Sequence, residues 1–301
     1  MLTRHTQGSL VWVDLVSPTP AEVRMLMHEF DIDPVIAQEL LVPSFRQNVE
    51  QRGDMIYLAL HFSALRGIGH RPEQEIDFII GKQFLITTRY ELNDPLQSFA
   101  KVFEVDAVLR RDKGHTNGGH LFIEMVSNLY RALIEESTLL ESRLTDIEDR
   151  IFDGAERRMV AEISQTGRII HDFRQSFVPH REIITALEPV ATRMFGPQFG
   201  YYIRELESVY TRVEHTLHNL KDALTELRET NNSLLSTKQN EVMRTLTVLN
   251  FVFLPLLFLS GLTTLYFSFV SIGTQSFWIL VGIMLLLGVI SLLYFKRRGW
   301  L

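Results

Sequence analysis

From Thr245 to Phe295, 51 consecutive residues carry no Asp, Glu, Lys or Arg, and every acidic residue of the 301-residue chain lies before Arg244. An α-helix crosses ~30 Å of hydrocarbon with ~20 apolar residues, so this run has the length of two passes and a turn. The expected passes are Thr245–Phe267 and Phe277–Phe295, joined by the short uncharged connector SFVSIGTQS from Ser268 to Ser276, where Gly273 and small polar residues favour a turn. Averaged over the whole chain the mean hydropathy is only +0.06, which hides this segregation.

Basic residues flank the run on both sides: Lys238 and Arg244 before it, Lys296, Arg297 and Arg298 after it. The positive-inside rule then places both termini in the cytoplasm, with Trp278 and Trp300 at interfacial positions. The start, MLTRHTQGSLVWVDL, lacks the apolar stretch of a secretion signal, so the bulk of the chain is expected to stay inside, making a multi-pass inner-membrane protein.

The part preceding the last basic cluster holds all 36 acidic residues against 27 of the 30 basic ones. Such a surface disfavours nucleic acid and suits cations. The absence of cysteine excludes disulfides, Cys-ligated zinc, iron–sulfur clusters and a thiol nucleophile. No P-loop, H-E-x-x-H or G-x-S-x-G pattern occurs, so an enzyme is not expected.

Residues 1 to about 115 read as a cytoplasmic α/β domain. Thr19-Pro20-Ala21-Glu22 is a capping box with proline at the first helical position, opening an amphipathic helix through Glu29. EIDFII and QFLITT around Gly81-Lys82 read as a hairpin whose turn places glycine at positive φ, and MIYLALHF is a third strand. GHTNGGH, 114 to 120, reads as a loop whose glycines make the turn. From His120 the period becomes helical, giving antiparallel helices over 116–200, with a second helix ended or bent at Glu188-Pro189. A stalk helix is expected over 201–244, passing without a break into a two-helix transmembrane domain, 245–301. Roughly 60 residues at 1.5 Å each give ~90 Å of helix, which must pack on its predecessors or self-associate.

On the first span Asn240, Met243, Thr247, Asn250, Leu254, Leu257 and Gly261 recur at three- and four-residue spacing and share one face. A face mixing amides, a hydroxyl and apolar side chains suits a pore with hydrophobic constrictions. The residues alone leave Asn250 open to a second reading, a hydrogen bond to the other span, and Pro255 open to a simple kink.

Across essentially its full length the chain resembles the CorA family of divalent metal ion transporters, through WVDLVSPTPAEV, FDIDPVIAQELL, FLITT followed by DPL, LTDIEDRIF, NEVMRTLTV, FLPLLFLSG and the terminal YFKRRGWL. The resemblance implies an α+β membrane protein: a cytoplasmic α/β domain, a long helical stalk and two C-terminal transmembrane helices, assembled as a funnel-shaped homopentamer whose first spans line the pore. It departs from the family at the outer end of that span. The hallmark there is Gly-Met-Asn, and this chain has Thr264-Leu265-Tyr266. Amides that would hold a hydrated magnesium ion are replaced by phenolic and other groups, and the uncharged connector offers no acidic ring.

The resemblance also implies a regulatory metal site between neighbouring subunits, with Glu39 and Glu205 as its acids and Glu229 as a further acid low in the pore, although surface solvation explains each of them equally simply. His215 and His218, three apart on the stalk, are a weaker candidate for a zinc face. The expected activity is passive flux of magnesium, zinc, cobalt or nickel, with a divalent ion as substrate and regulator and no organic cofactor. Its partners are further copies of itself, the bilayer and divalent cations. The rival is a non-conducting pentameric metal-sensing scaffold that binds a partner.

Overall fold

The computed structural model describes residues 1–44, 47–63, 73–90, 94–108, 117–269 and 274–298. The first helix forms as its sequence dictates. Thr19 accepts from the Glu22 amide at 3.3 Å while the Glu22 carboxylate accepts from the Thr19 amide at 2.8 Å, and Pro20 opens α1 (Pro20–Phe30). A short α2 (Pro34–Glu39) follows, capped by Asp33.

Six strands form one sheet: β1 (Leu2–Gln7), β2 (Leu10–Val16), β3 (Val49–Arg52), β4 (Met55–Ser63), β5 (Glu73–Ile80) and β6 (Phe84–Arg89), in the order β1-β2-β6-β5-β4-β3. Only β2 and β6 pair in parallel, with Val13 opposite Ile86. The period of two divides the sheet faces. Val13, Leu15, Tyr57, Ala59, Ile79 and Ile86 pack with Val23, Leu26, Ile36 and Leu40 of the α1–α2 segment. On the other face Trp12 meets Phe99 and Phe103 of α3 (Asp94–Val108), and Phe78 meets Phe122 of α4 (Gly118–Arg150). Strands β1, β2 and β3 were not anticipated from the pattern.

Three expectations are corrected. The hairpin between β5 and β6 exists, but Gly81 is not at positive φ; a Cβ there would run into the ring of Phe84, so close approach is what requires glycine. Residues 114–116 of the expected loop lie outside the described residues, whereas Gly118, Gly119 and His120 are not loop at all but the first turn of α4, capped by Asn117. A Cβ on Gly118 would meet the carbonyl oxygens of Phe84 and Gly81, and one on Gly119 would lie 2.8 Å from the Phe195 and Phe199 rings. The second helix also ends earlier than Glu188-Pro189. A π-turn at Ile151–Ala155, with Gly154 at φ 92°, separates α4 from α5 (Glu156–Phe177), and the next interruption is at Val178-Pro179. Pro189 then sits inside α6 (His180–Phe195). Pro179 costs nothing before the first turn, where an amide has no partner anyway, whereas the carbonyl left unpaired by Pro189 belongs to a helix already held by its buried face.

α4 and α5 form an antiparallel hairpin, bridged by Arg143 and Glu162 at 3.1 Å. Helix α7 (Phe199–Phe269) is a single helix of 71 residues containing Pro255. Its first part buries Ile203, Leu206, Tyr210, Val213, Leu217, Leu220 and Leu224 in three- and four-residue steps, and Tyr210 stacks on Phe177 at 4.7 Å. The chain divides into two compact units, Met1–Arg228 and Glu229–Leu301. In the second, α8 (Thr274–Arg297) packs on the end of α7. The expected turn at Gly273 lies outside the described residues, and Ser268 and Thr274–Ser276, read as connector, are helical. Among the described residues one helix, α7, is by length and composition long and apolar enough to cross a membrane.

Candidate functional site

Within the second unit, burial assigns two sides to α7. Val248 is 3% exposed, Val252, Leu256 and Leu259 are half-buried, and the Phe251 ring meets Phe295 of α8 at 5.8 Å. Gly288 brings α8 close enough that a Cβ would touch Leu256 at 3.8 Å. Most of the remaining circumference is bare, Phe251, Phe253 and Phe258 included at 62%, 56% and 68% exposed. Asn240, Met243, Asn250, Leu254, Leu257 and Gly261 are exposed, with Leu254 at 64% and Leu257 at 68%, and Thr247 is half-buried at the border. At 100° per residue Met243, Asn250, Leu254, Leu257 and Gly261 lie on the far side of the helix from Val248, with Asn240 and Thr247 at the flank.

Thr247 donates its hydroxyl proton to the Met243 carbonyl at 2.8 Å, and Thr264 donates to Ser260 at 2.9 Å. An oxygen whose proton is engaged along its own helix presents lone pairs outward. Leu265 is 60% exposed. Tyr266 continues the helix, and its side chain lies outside the described residues.

In the first unit Glu39 is the last residue of α2, half-buried, and its carbonyl accepts from the Tyr90 hydroxyl at 3.3 Å. Glu205 is exposed near the start of α7, and Glu229, first residue of the second unit, is exposed as well. His215 and His218 line a cleft of about 190 Å³ with Arg174, Phe177, Val178, Glu214 and Leu217, and His218 is engaged by Asp222 at 3.3 Å. Among the described residues no three His, Asp or Glu converge as a metal site within the chain.

The sequence reading missed a buried polar network on the α2 side of the sheet. Asp77, fully buried, is held by the Tyr57 hydroxyl at 3.2 Å and lies 3.1 Å from that of Tyr90. Glu75 accepts from the Ser44 amide at 2.8 Å and lies 2.9 Å from His61 Nε2. Burial, then the Glu75 carboxylate, raise Asp77 well above the ordinary carboxylate range, and burial followed by the Asp77 charge raises both tyrosines. The signal was there: in EQEIDFII, residues 75, 77 and 79 share a face, and two of them are acids. Behind the sheet His180, fully buried, has Nε2 at 2.8 Å from the His61 carbonyl and Nδ1 at 3.0 Å from the Tyr130 hydroxyl; burial pushes its pKa down to about 3.

An α/β unit and a long helix with an apolar stretch of bilayer length are the features of an α+β protein that meets a membrane. The chain belongs to the family of CorA-like Mg2+ transporter proteins, whose pattern matches residues 7–297. It is 24% identical over 309 residues to the zinc transport protein ZntB of Yersinia enterocolitica, covering 96% of this chain and 88% of that one. The complete structure of the CorA magnesium transporter from Methanocaldococcus jannaschii superposes with a TM-score of 0.84 at 18% identity, covering 97% of this chain and 92% of that one. Full-length CmaX superposes at 0.66 with 17% identity, covering 97% and 89%. The family is one of metal ion transporters, not of enzymes.

Proposed function

We propose that this protein is a passive divalent-cation channel of the inner membrane, built from five copies with both termini cytoplasmic. Residues 1–115 and 116–200 form its cytoplasmic α/β and helical parts, 201–244 the stalk, and 245–301 two spans, of which the first lines the pore. The observation that carries this reading is the polar content of one face of α7: Asn240, Thr247 and Asn250 lie on it with Met243, Leu254 and Leu257, while α8 approaches a different side, at Leu256. An amide at Asn250 left facing lipid would be costly, and a water-filled axis shared with other copies satisfies it.

Magnesium, zinc, cobalt and nickel are the candidate ions. The absence of Gly-Met-Asn, with Tyr266 at the third position, favours an ion that sheds water more readily than magnesium. An inward divalent ion gains roughly 4.6 kcal/mol per 100 mV, so no nucleotide is required. Glu39 and Glu205 act as ligands of a regulatory divalent ion held between neighbouring copies, whose loss leaves like charges facing each other.

The test is ion flux into liposomes holding the purified full chain, read with magnesium and zinc dyes beside Asn250→Leu. Flux in the parent that the substitution abolishes supports the pore. An intact oligomer that passes neither ion under several voltages overturns it in favour of a non-conducting scaffold, and a particle of one or two chains removes the pentamer.

A further inference from the structure

Where α5 ends, its last turn meets α7 and leaves a gap. Arg174, Phe177 and Val178, three and four residues apart, line one wall of the cleft of about 190 Å³, and Glu214, His215, Leu217 and His218 line the other. Phe177 and Leu217, each 2% exposed, make an apolar floor, and the Phe177 ring lies stacked on Tyr210 at 4.7 Å. The rim is open: Val178 and both histidines are exposed. An apolar floor with a few polar groups converging on it is the make-up of a small-molecule site.

The charges around the cleft do not cancel. Glu214 is answered by Arg181 at 3.9 Å and by the Tyr210 hydroxyl at 3.5 Å. Asp222, one turn beyond His218, lies 3.3 Å from that imidazole and 3.6 Å from Lys221. What is left, among the described residues, is the half-buried Arg174, whose guanidinium has no acceptor, and His215, whose ring has no hydrogen-bond partner. A guanidinium with its N–H groups unspent takes carboxylate or phosphate oxygens two at a time, and an imidazole supplies a further N–H in either neutral tautomer. A metal ion suits the place less. No three His, Asp or Glu among the described residues converge to hold one, and Arg174 would repel it.

We propose that this cleft binds a small organic anion, its carboxylate or phosphate held by Arg174 and His215 and its apolar body laid on Phe177 and Leu217. The size follows from the volume. A cavity of ~150 Å³ takes a benzene ring, so about 190 Å³ holds an aryl or similarly short body with one acidic group. The bound molecule ties the α5–α6 junction at Val178 to the first part of α7, and all of its contacts fall within the first unit. The site stands whether or not the chain conducts ions.

The test is calorimetric titration of the full chain in detergent, with empty micelles subtracted. Benzoate, phenyl phosphate and inorganic phosphate are the probes, and neutral benzamide is the control for partition into the micelle. Benzoate, phenyl phosphate or both should bind, benzamide at least about tenfold more weakly, and the order of the two acids says which head group is preferred. Arg174→Gln should weaken binding about ten- to hundredfold, the effect of losing hydrogen bonds to a charged group. Val178→Phe, which fills the cleft from an exposed position, should abolish binding and decides the matter even if Arg174→Gln does not fold. Arg24→Gln, exposed on α1, should bind as the parent does. Failure of both acids to bind overturns the proposal, as does benzamide binding equally well or undiminished binding to Val178→Phe. Inorganic phosphate held as tightly as phenyl phosphate overturns the role of the apolar floor. Zinc bound by the parent and lost in His215→Gln, with no anion bound, overturns the proposal in favour of a metal face.

Discussion

Arg89 reaches Asp14 diagonally across the parallel ladder of β6 and β2, Nη2 to Oδ2 at 2.7 Å, both side chains almost wholly buried. Thr87 donates to the second carboxylate oxygen at 2.8 Å and is itself engaged by the Trp12 indole at 3.0 Å. Removing the cation alone leaves a carboxylate without compensation. Arg89→Met should cost about 3–5 kcal/mol, and the pair Asp14→Leu with Arg89→Met considerably less. Chemical denaturation of the full chain in detergent separates the two outcomes.

His180 is a neutral group whose tautomer is set by its partners. The His61 carbonyl can only accept, so Nε2 carries the hydrogen and Nδ1 accepts from Tyr130. With its folded pKa pushed down to about 3, the unfolded chain binds the extra proton first. The contribution to stability is therefore complete above the unfolded value of ~6.5 and is lost as pH falls toward 3, on the order of 4 kcal/mol in all. His180→Gln should lower stability at neutral pH and flatten that acid limb, as measured by denaturant midpoints at several pH values.

Asp77 gives the opposite slope. Its folded pKa is raised, so the folded chain holds a proton that the unfolded chain has already released. Its share of stability is full below the unfolded value of ~3.9 and declines as pH rises toward the folded one. Asp77→Asn should remove that decline, so the mutant gains on the parent with rising pH in the same midpoint series.

Gly118 and Gly119 are fixed by neighbours far away in sequence. Gly118→Ala drives a methyl into the carbonyl oxygens of Phe84 and Gly81, and Gly119→Ala into two phenylalanine rings. The first should cost at least ~1–3 kcal/mol, because backbone yields less than side chain. The second should cost less. Thermal melts of the two variants side by side check the order.

On the proposed pore, replacing Thr264-Leu265-Tyr266 by Gly-Met-Asn supplies amide groups for a hydrated ion. A hydrogen bond to a charged species is worth ~1.5–3 kcal/mol, so the magnesium-to-zinc flux ratio should rise about ten- to hundredfold. Dye flux in liposomes measures it, and an unchanged ratio removes these three positions from selectivity.

How much of this was legible depended on how far each cause lies along the chain. The Thr19–Glu22 box and the hairpin of β5 and β6 are set by residues within a few positions, and they read directly. The reason for Gly118 is a carbonyl at Phe84, over thirty positions away, so it read as an ordinary turn. The edge strands β1 and β3 present few buried positions and gave no strong alternation. Asp77 alternates in plain sight, but its partners Tyr57 and Tyr90 come from other strands, and only pairing unites them.

The parallel pairing of β2 with β6 also sets an order of events on the ribosome. Val11 to Val16 are made early, yet the strand that covers their second edge is finished only at Arg89. Until then an apolar strand edge is open to wrong partners. Thr245, where the uncharged run begins, is translated about 150 residues later, which at ~5–20 residues per second leaves roughly 8–30 s. The sheet can thus close before the uncharged run is synthesised, so sheet pairing and the appearance of the apolar end fall in separate intervals of synthesis.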